Sequence, residues 1–399
     1  MGAGSIARPH LVSANQPTPL SGLHPVNCRL VEMKFLKLLV LLLSVPLSTM
    51  AAQFSQVEVF RSGQDGYHTY RIPALIVTKQ GTLLAFCEGR RAAGGDSGDI
   101  DLLLKRSRDG GRTWSAAKLV ADFGEDTLGN PAPVVDQKTG DIVLLMTRNP
   151  GNVTERQIVA GTGSGTRTVW LARSTDEGVT WTPPIEITSS TKAPDWTWYA
   201  TGPGNGIQLR DQIRNGRMVV ACDHIVLGSK AMHSHVIVSD DGGRTWTLGG
   251  SAGDRTNESA VVELKDRSLM LNMRSYHGKN RRAVATSKDR GRTWSEPTIV
   301  EALIEPVCQA SLISLGKGRL LFSNPADVQR VRMTVKLSRD DGQSWPVARV
   351  IHEGPAAYSS LAPLKDGRIG LLYERGDSRA YEVITFARFD RRWLESGSK

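Results

Sequence analysis

The sequence predicts an all-β fold, a six-bladed β-propeller of four-stranded antiparallel blades, and three observations carry that expectation. An eight-residue pattern, S-x-D-x-G-x-[TS]-W, occurs five times, beginning at Ser107, Ser174, Ser239, Ser287 and Ser338. Successive copies start 67, 65, 48 and 51 residues apart, near the roughly 40–50 residues that one blade occupies. Short apolar runs recur before and between the copies, and no long helical periodicity competes with them.

The repeated octapeptide is turn chemistry. Its Asp can accept hydrogen bonds from the N–H groups of its own turn, the Gly two positions later can take positive φ, and the closing Trp offers a large apolar face. Each copy is therefore a hairpin corner. Strand-like runs precede these corners at residues 100–104, 169–172, 235–238 and 332–337, and others lie at 82–87, 142–147, 218–222, 268–273, 319–323 and 369–374. Most of the second group follow a Gly- or Asp-bearing turn such as Lys79-Gln80-Gly81 or Lys365-Asp366-Gly367, which is the hairpin signal. Counting Asp266-Arg267 as such a turn gives six units, five boxed and one unboxed.

Residues 54–394 form a single domain on this reading, uninterrupted by any Pro-, Ser- or Gly-rich linker. The first 52 residues differ in kind. Met33 to Lys37 is basic, residues 38–47 are apolar apart from Ser44 and Pro46, and Ser48 to Ala52 is a small-residue cleavage zone. Residues 33–52 thus read as a secretory signal, too short to span a bilayer, and imply a periplasmic or secreted protein without stable membrane insertion. Residues 1–32 then stand as an upstream extension, a mis-assigned start or a disordered tail.

Loss of residues 1–52 removes Arg8, Arg29, Lys34 and Lys37 against Glu32, leaving +7 of the formal +10. The basic residues are not clustered with aromatics, so a nucleic-acid partner is not expected and an anionic substrate fits the charge better. Of four cysteines, Cys28 falls in the leader. Cys87, Cys222 and Cys308 remain, an odd number at wide spacing that reads as buried small hydrophobes rather than a disulfide framework or a metal site. His224, His233 and His235 lie close together in sequence, but without a third placed ligand they read as structural, and no metal or other cofactor is expected. No motif specifies an oligomeric state.

Three arginines stand at the edges of apolar strands, where an unpaired guanidinium is costly unless it meets an anion: Arg71 in Tyr70-Arg-Ile-Pro73, Arg274 in Asn272-Met-Arg-Ser275, and Arg330 in Asp327-Val-Gln-Arg330. Carried on different blades of a toroid, they can surround one carboxylate, whose geometry the guanidinium fork matches. With the Arg-Ile-Pro motif and the Asp boxes in this order, the chain resembles the exo-α-sialidases (neuraminidases) over about residues 54–394.

The resemblance implies a retaining glycoside hydrolase acting on sialylated glycans, glycoproteins or glycolipids. It places the carboxylate-gripping triad on Arg71, Arg274 and Arg330, with Arg332 as the alternative for the third. It places the nucleophile on Tyr358 in Gly354-Pro-Ala-Ala-Tyr358, a choice with a physical reason. The sialoside carboxylate sits on the anomeric carbon and would repel a carboxylate nucleophile, whereas a neutral phenol escapes that repulsion. Since an unperturbed phenol has a pKa of about 10, it needs a proton acceptor, and the resemblance supplies Glu258. The general acid/base falls on Asp96, with Asp99 the alternate, in the Gly-rich segment 89–101; Asp101 reads as structural, and the three together as a calcium loop lack EF-hand spacing. Glu374 matches the carboxylate that orients Arg71, and Arg90 an accessory substrate arginine, with Glu88 free to pair with either. Asn130 and the aromatic group Trp196, Trp198 and Tyr199 are further candidates for the substrate wall. The covalent intermediate is shared by hydrolysis and by transfer to a glycan or within the sugar. A non-catalytic sialic-acid-binding propeller would require loss of Tyr358, Glu258 or Asp96, and all three are present.

Overall fold

A computed structural model describes residues 53–210 and 216–397. The expected signal segment, the upstream extension and Cys28 lie outside the described residues. Along the chain, β1 (Phe54–Arg61) precedes β2 (Thr69–Val77), β3 (Leu83–Arg90), β4 (Ile100–Ser107), β5 (Lys118–Ala121), β6 (Thr127–Val135), β7 (Ile142–Asn149), β8 (Thr168–Ser174) and β9 (Ile185–Glu186). Strands β2 to β9 join in one eight-stranded sheet. A five-stranded sheet holds β10 (Trp196–Thr201), β11 (Ile207–Gln208), β12 (Met218–Val226), β13 (Met232–Ser239) and β14 (Thr247–Asp254). A four-stranded sheet holds β15 (Thr256–Glu263), β16 (Leu269–Ser275), β17 (Arg281–Ser287) and β18 (Thr298–Ile304). The last sheet runs from β19 (Ser311–Gly316) through β20 (Arg319–Pro325), β21 (Val331–Ser338), β22 (Val347–Pro363), β23 (Ile369–Arg375) and β24 (Val383–Phe389), and β1 completes it by pairing antiparallel with β24. The chain is all-β, its curled sheets consistent with a β-propeller.

Local sequence accounts for these elements. The runs expected at 142–147, 218–222, 319–323 and 369–374 begin where β7, β12, β20 and β23 begin. The three helices are short. Among them α1 (Glu155–Ala160) was not anticipated, although Thr154 and Gln157 form a reciprocal capping box and Gly161 ends the helix at φ 66°. The others are α2 (Thr188–Thr191) and α3 (Arg391–Ser396).

The Asp boxes are built as their residue types require. In the second copy Ser174 donates to Asp176 Oδ1 at 2.8 Å, and that oxygen also accepts from Thr180 N at 2.8 Å. The Thr180 hydroxyl donates to Oδ2 at 2.5 Å, and Gly178 N donates to Ser174 Oγ at 2.9 Å. The same set recurs in the first, third, fourth and fifth copies. In the first box, a Cβ on Gly111 (φ 87°) would come within 2.0 Å of the Phe386 ring. Only glycine satisfies both that conformation and that contact.

Each box tryptophan closes a different apolar core. Trp114 meets Phe386 edge-on at 5.3 Å, Trp181 meets Phe86 at 5.7 Å, and Trp345 is tilted against Phe322 at 5.8 Å. Trp246 is buried among Met218, Tyr199 and Ile237, and Trp294 packs beside Val236 and Leu269. A sixth core, around Leu337, Leu371 and Phe389, receives no box residue; Trp393 of α3 fills that place, 5.4 Å from Phe389, and its N–H donates to Asp390 Oδ1 at 2.7 Å. Asp390 is the N-cap of α3, and its side chain accepts from the backbone N–H of Trp393. Burial of one such indole contributes about 3–5 kcal/mol, judged by what truncation to Ala removes.

The hydrogen bonds from Thr180 hold the Asp176 carboxyl down to about 2. A carboxyl lowered in the folded state stabilises fully above its unfolded pKa of about 4, and that contribution is lost as pH falls through the folded value. We expect the urea unfolding midpoint of Asp176→Asn to depend less steeply on pH between about 4 and 2 than that of the wild type, with stability at pH 7 lowered by about 1 kcal/mol. Urea titrations monitored by tryptophan fluorescence across that range check this.

Candidate active site

Five strands share one irregularity, and it aims the side chains of the site. In β2, β6, β10, β15 and β22, three residues of one strand face two of its partner. The extra residue falls between Arg71 and Ala74, Gly129 and Ala132, Trp196 and Tyr199, Thr256 and Ser259, and Ala356 and Ser359. A bulge breaks strict alternation and redirects side chains. Arg71, Asn130, Trp198, Glu258 and Tyr358 all sit at these bulges, and all line one cavity of about 190 Å³.

Arg71, Arg274 and Arg330 converge there. The Arg71 guanidinium lies 5.0 Å from the centre of the Tyr358 ring and that of Arg330 lies 5.8 Å from it, while Arg274 Nη1 is 3.4 Å from Tyr358 Oη. Each is held at short range: Arg71 Nε donates to Glu374 at 2.8 Å, Arg274 Nη1 to Glu258 at 2.8 Å, and Arg330 Nη1 to Tyr381 Oη at 2.6 Å. Arg332 does not join them. Its φ of 62° at a register shift in β21 turns it outward, half-exposed, onto Glu353 at 3.5 Å, so it does not share the face of Arg330 as expected from sequence. Burial opposes the charge on all three, but Glu374 beside Arg71, Glu258 beside Arg274, and Cys308 with Tyr358 and Tyr381 beside Arg330 outweigh it and hold the guanidinium groups above their ordinary pKa.

Beneath them the Tyr358 hydroxyl donates to Glu258 Oε1 at 2.6 Å. Burial, then the Glu258 charge, raise the phenol well above its usual range, so it is neutral until a base takes its proton. Asp96 sits at the mouth, its side chain 65 % exposed, with Oδ1 2.8 Å from Arg90 Nη2 and 3.9 Å from Arg71 Nη1. Burial tends to raise that acid, but Arg90 and Arg71 together bring it below the ordinary aspartate range. Asp99 is held by Arg91 at 3.2 Å and lies outside the cavity lining. Asp101, fully buried, accepts from Tyr67 Oη at 2.7 Å and pairs with Arg91, a structural role. Arg90 lines the cavity and is fixed by Glu88 at 2.7 Å and by the carbonyls of Gly94 and Gly95.

Two residues of the opposite wall were missed from sequence. Arg167, 3 % exposed, donates from Nη1 to Asn130 Oδ1 at 2.5 Å and to Thr147 at 2.8 Å, and lies 4.0 Å over the Trp198 ring. The Asn130 side chain is therefore committed to positioning Arg167, while its backbone N–H donates to Glu88 at 2.9 Å. Asp223, fully buried, accepts from Asn257 Nδ2 at 2.9 Å through Oδ1, and its Oδ2 has no partner among the described residues. Burial, then Glu258 and Glu155, push its pKa well above the ordinary carboxylate value. An Asp in the apolar run 218–222 and its continuation was the available signal.

Of the three aromatics proposed for the wall, only Trp198 lines the cavity. Trp196 stacks on His224 at 3.4 Å and Tyr199 is fully buried in a core. Burial, then His233, hold His224 down to about 3, so the His224–His235 contact of 3.1 Å joins neutral rings. Cys87, Cys222 and Cys308 are free and buried, and among the described residues no group of three His, Cys, Asp or Glu is arranged to hold a metal ion.

Residues 81–371 match the family model described as a BNR repeat-like domain, which sets the class. The chain is 36 % identical to the sialidase of Micromonospora viridifaciens over 86 % of this chain and 54 % of that protein. It is likewise 36 % identical to the sialidase of Bacteroides fragilis, over 80 % of this chain and 62 % of that one. Among solved structures, the Hadza microbial sialidase Hz136 superposes with a TM-score of 0.77 at 35 % identity, over 85 % of this chain and 69 % of that one. The chain belongs to the sialidase family. It spans 54–62 % of the length of these two curated relatives.

Glu374 is fully buried and accepts from Arg71 Nε, Ile72 N and Tyr358 N at 2.8, 2.8 and 2.9 Å. We expect Glu374→Gln to leave Arg71 buried without its counter-charge and to lower stability by about 3 kcal/mol. Chemical denaturation of the two proteins measures the difference.

Proposed function

We propose that this chain is an exported, retaining exo-α-sialidase that hydrolyses terminal α-ketosidic sialic acid from glycoconjugates, in the periplasm or outside the cell. The observation that carries the reading is the meeting of three guanidinium groups around a phenol whose hydroxyl is bonded to a carboxylate. The fold it uses is read as six blades of four strands. Strands β2–β5, β6–β9, β15–β18 and β19–β22 supply four, β10 to β14 a fifth in which β10 and β11 pair in succession with β12 and count as one strand, and the second half of β22 with β23, β24 and β1 the sixth, so that the first and last described strands share one blade.

In this reading Arg71, Arg274 and Arg330 grip the substrate carboxylate, which fixes the anomeric carbon over Tyr358. Glu258 takes the phenol proton as the Tyr358 oxygen attacks that carbon, and Asp96 gives a proton to the departing glycosidic oxygen. The sugar is then bonded to Tyr358. In the second half Asp96 takes a proton from water, the water oxygen displaces the phenol, and Glu258 returns the proton to Tyr358. Configuration is retained by two inversions.

Asp96 is ionised in the free protein because Arg90 and Arg71 face it. A bound carboxylate neutralises part of that positive field, so the acid gains its proton as substrate enters. Binding of a sialic-acid analogue at pH 7 is therefore expected to take up close to one proton, and Asp96→Asn to take up none. Calorimetry in buffers of different ionisation enthalpy reads the proton count directly.

Tyr358→Phe keeps the ring and removes the nucleophile. Turnover of a fluorogenic sialoside should fall by about a thousand-fold or more, with analogue affinity within about three-fold of wild type. Wild-type turnover by that variant would refute the assignment.

A further inference from the structure

Behind the wall formed by Arg167 and Trp198 lies a buried cation whose hydrogen-bond partners are all neutral. Lys192, the residue that ends α2, is 8 % exposed, and its Nζ donates to Thr166 Oγ1 at 2.9 Å, to the Arg167 carbonyl at 2.6 Å and to the Thr197 carbonyl at 2.9 Å. An ammonium carries three donors, so each is used. The charge that bears on it is that of Arg167, of the same sign; burial, then that guanidinium, bring the ammonium down to about 8. Buried charges are ordinarily paired, and one that is not lowers stability. What the lysine adds is the connection its bonds make.

Arg167 immediately precedes β8 and Trp198 lies in β10, and these strands belong to different sheets, so no ladder sets the distance between them. Trp198 moreover sits in the bulge of β10, where its own ladder is interrupted. The Lys192 ammonium spans that gap. It holds the carbonyl of Arg167 itself and that of Thr197, the residue before Trp198, and the Thr166 hydroxyl, one of its acceptors, donates to the same Thr197 carbonyl at 2.9 Å. The two side chains tied in this way stack at 4.0 Å and line the anion cavity, from whose lining Lys192 is absent.

We infer that Lys192 is a positioning residue: without touching the ligand, its ammonium sets the Arg167–Trp198 stack as one wall of the site, and affinity for the sugar acid depends on that setting. The inference rests on the proposed function, in which the cavity takes a sialic acid.

The test reads affinity and turnover separately, with 2-deoxy-2,3-didehydro-N-acetylneuraminic acid as the analogue in calorimetry and a fluorogenic sialoside in kinetics. Lys192→Met keeps the length of the side chain and removes its bonds. It should raise the analogue's Kd and the sialoside's KM about ten-fold while kcat stays within about three-fold. Trp198→Ala should raise Kd comparably, and adding Lys192→Met to it should change Kd by less than about two-fold, because the lysine acts through the stack. Should Lys192→Met not fold, Thr166→Val, which breaks one link, is expected to raise Kd about three-fold, and again not in the Trp198→Ala background. A lysine that only stabilises the fold would lower kcat and the calorimetric stoichiometry with Kd and KM unchanged, and effects that multiply in the double variant would show that lysine and stack act independently; either overturns the inference. Wild-type protein that binds the analogue but cleaves no sialoside would refute the proposed activity and leave the Kd series to decide, whereas failure to bind the analogue overturns both.

Discussion

One buried carboxylate holds the site together. Glu374 on β23 accepts from Arg71 Nε and Ile72 N on β2 and from Tyr358 N on β22, segments separated by 303, 302 and 16 residues. A single oxygen pair thus fixes the first guanidinium and the backbone that carries the phenol in one frame. The bond to Ile72 N also sustains a backbone that would not otherwise persist, since Ile72 is β-branched at φ 59°. Such a conformation costs about 1–3 kcal/mol and is kept only where the surroundings over-determine it. Here the surroundings are Glu374 and the following Pro73.

Strain and aim are linked across the inner strands. Asn130 repeats the arrangement of Ile72, with φ 56° before a proline at a bulge of the same count. In each case the extra residue turns a strand side chain toward the cavity. The scaffold needs this because a regular strand alternates its side chains between two neighbouring cores, leaving none directed along the axis where the chain segments converge. The fold therefore departs from regularity where the cavity is lined, and its outer corners can remain a repeat.

That division explains what the sequence revealed. The Asp boxes were legible because every hydrogen bond in them closes within five residues. The register of β7, β12, β20 and β23 was legible because each follows a turn. Arg71, Arg274 and Arg330 could be picked out as guanidinium groups at apolar strand edges, but only Arg71 sits at a bulge, which has no local signature beyond the following proline, and the meeting of the three depends on segments far apart in the sequence. Arg167 and Asp223 escaped notice for the same reason: a buried charge acquires meaning only from partners 20 to 37 residues away. Trp393 lies in no box: it is carried by α3, whose N-cap is Asp390.

Charge balance connects this architecture to the chemistry. Five arginines line the cavity (Arg71, Arg90, Arg167, Arg274, Arg330), facing the carboxyl groups of Glu88, Asp96, Glu155, Asp223 and Glu258, with Glu374 behind Arg71. Proton transfer from Tyr358 to Glu258 does not disturb that balance. The negative charge moves from the carboxylate to the phenol oxygen, and Arg274 Nη1 already contacts both, at 2.8 and 3.4 Å. In the proposed reaction the guanidinium that helps hold the substrate carboxylate therefore also steadies the charge before and after the proton moves. In the proposed reaction a carboxylate in place of Tyr358 would add a permanent negative charge beside the substrate's own. The phenol that burial keeps protonated and the guanidinium groups that face it are thus parts of one electrostatic arrangement, and altering either changes the conditions under which the other operates.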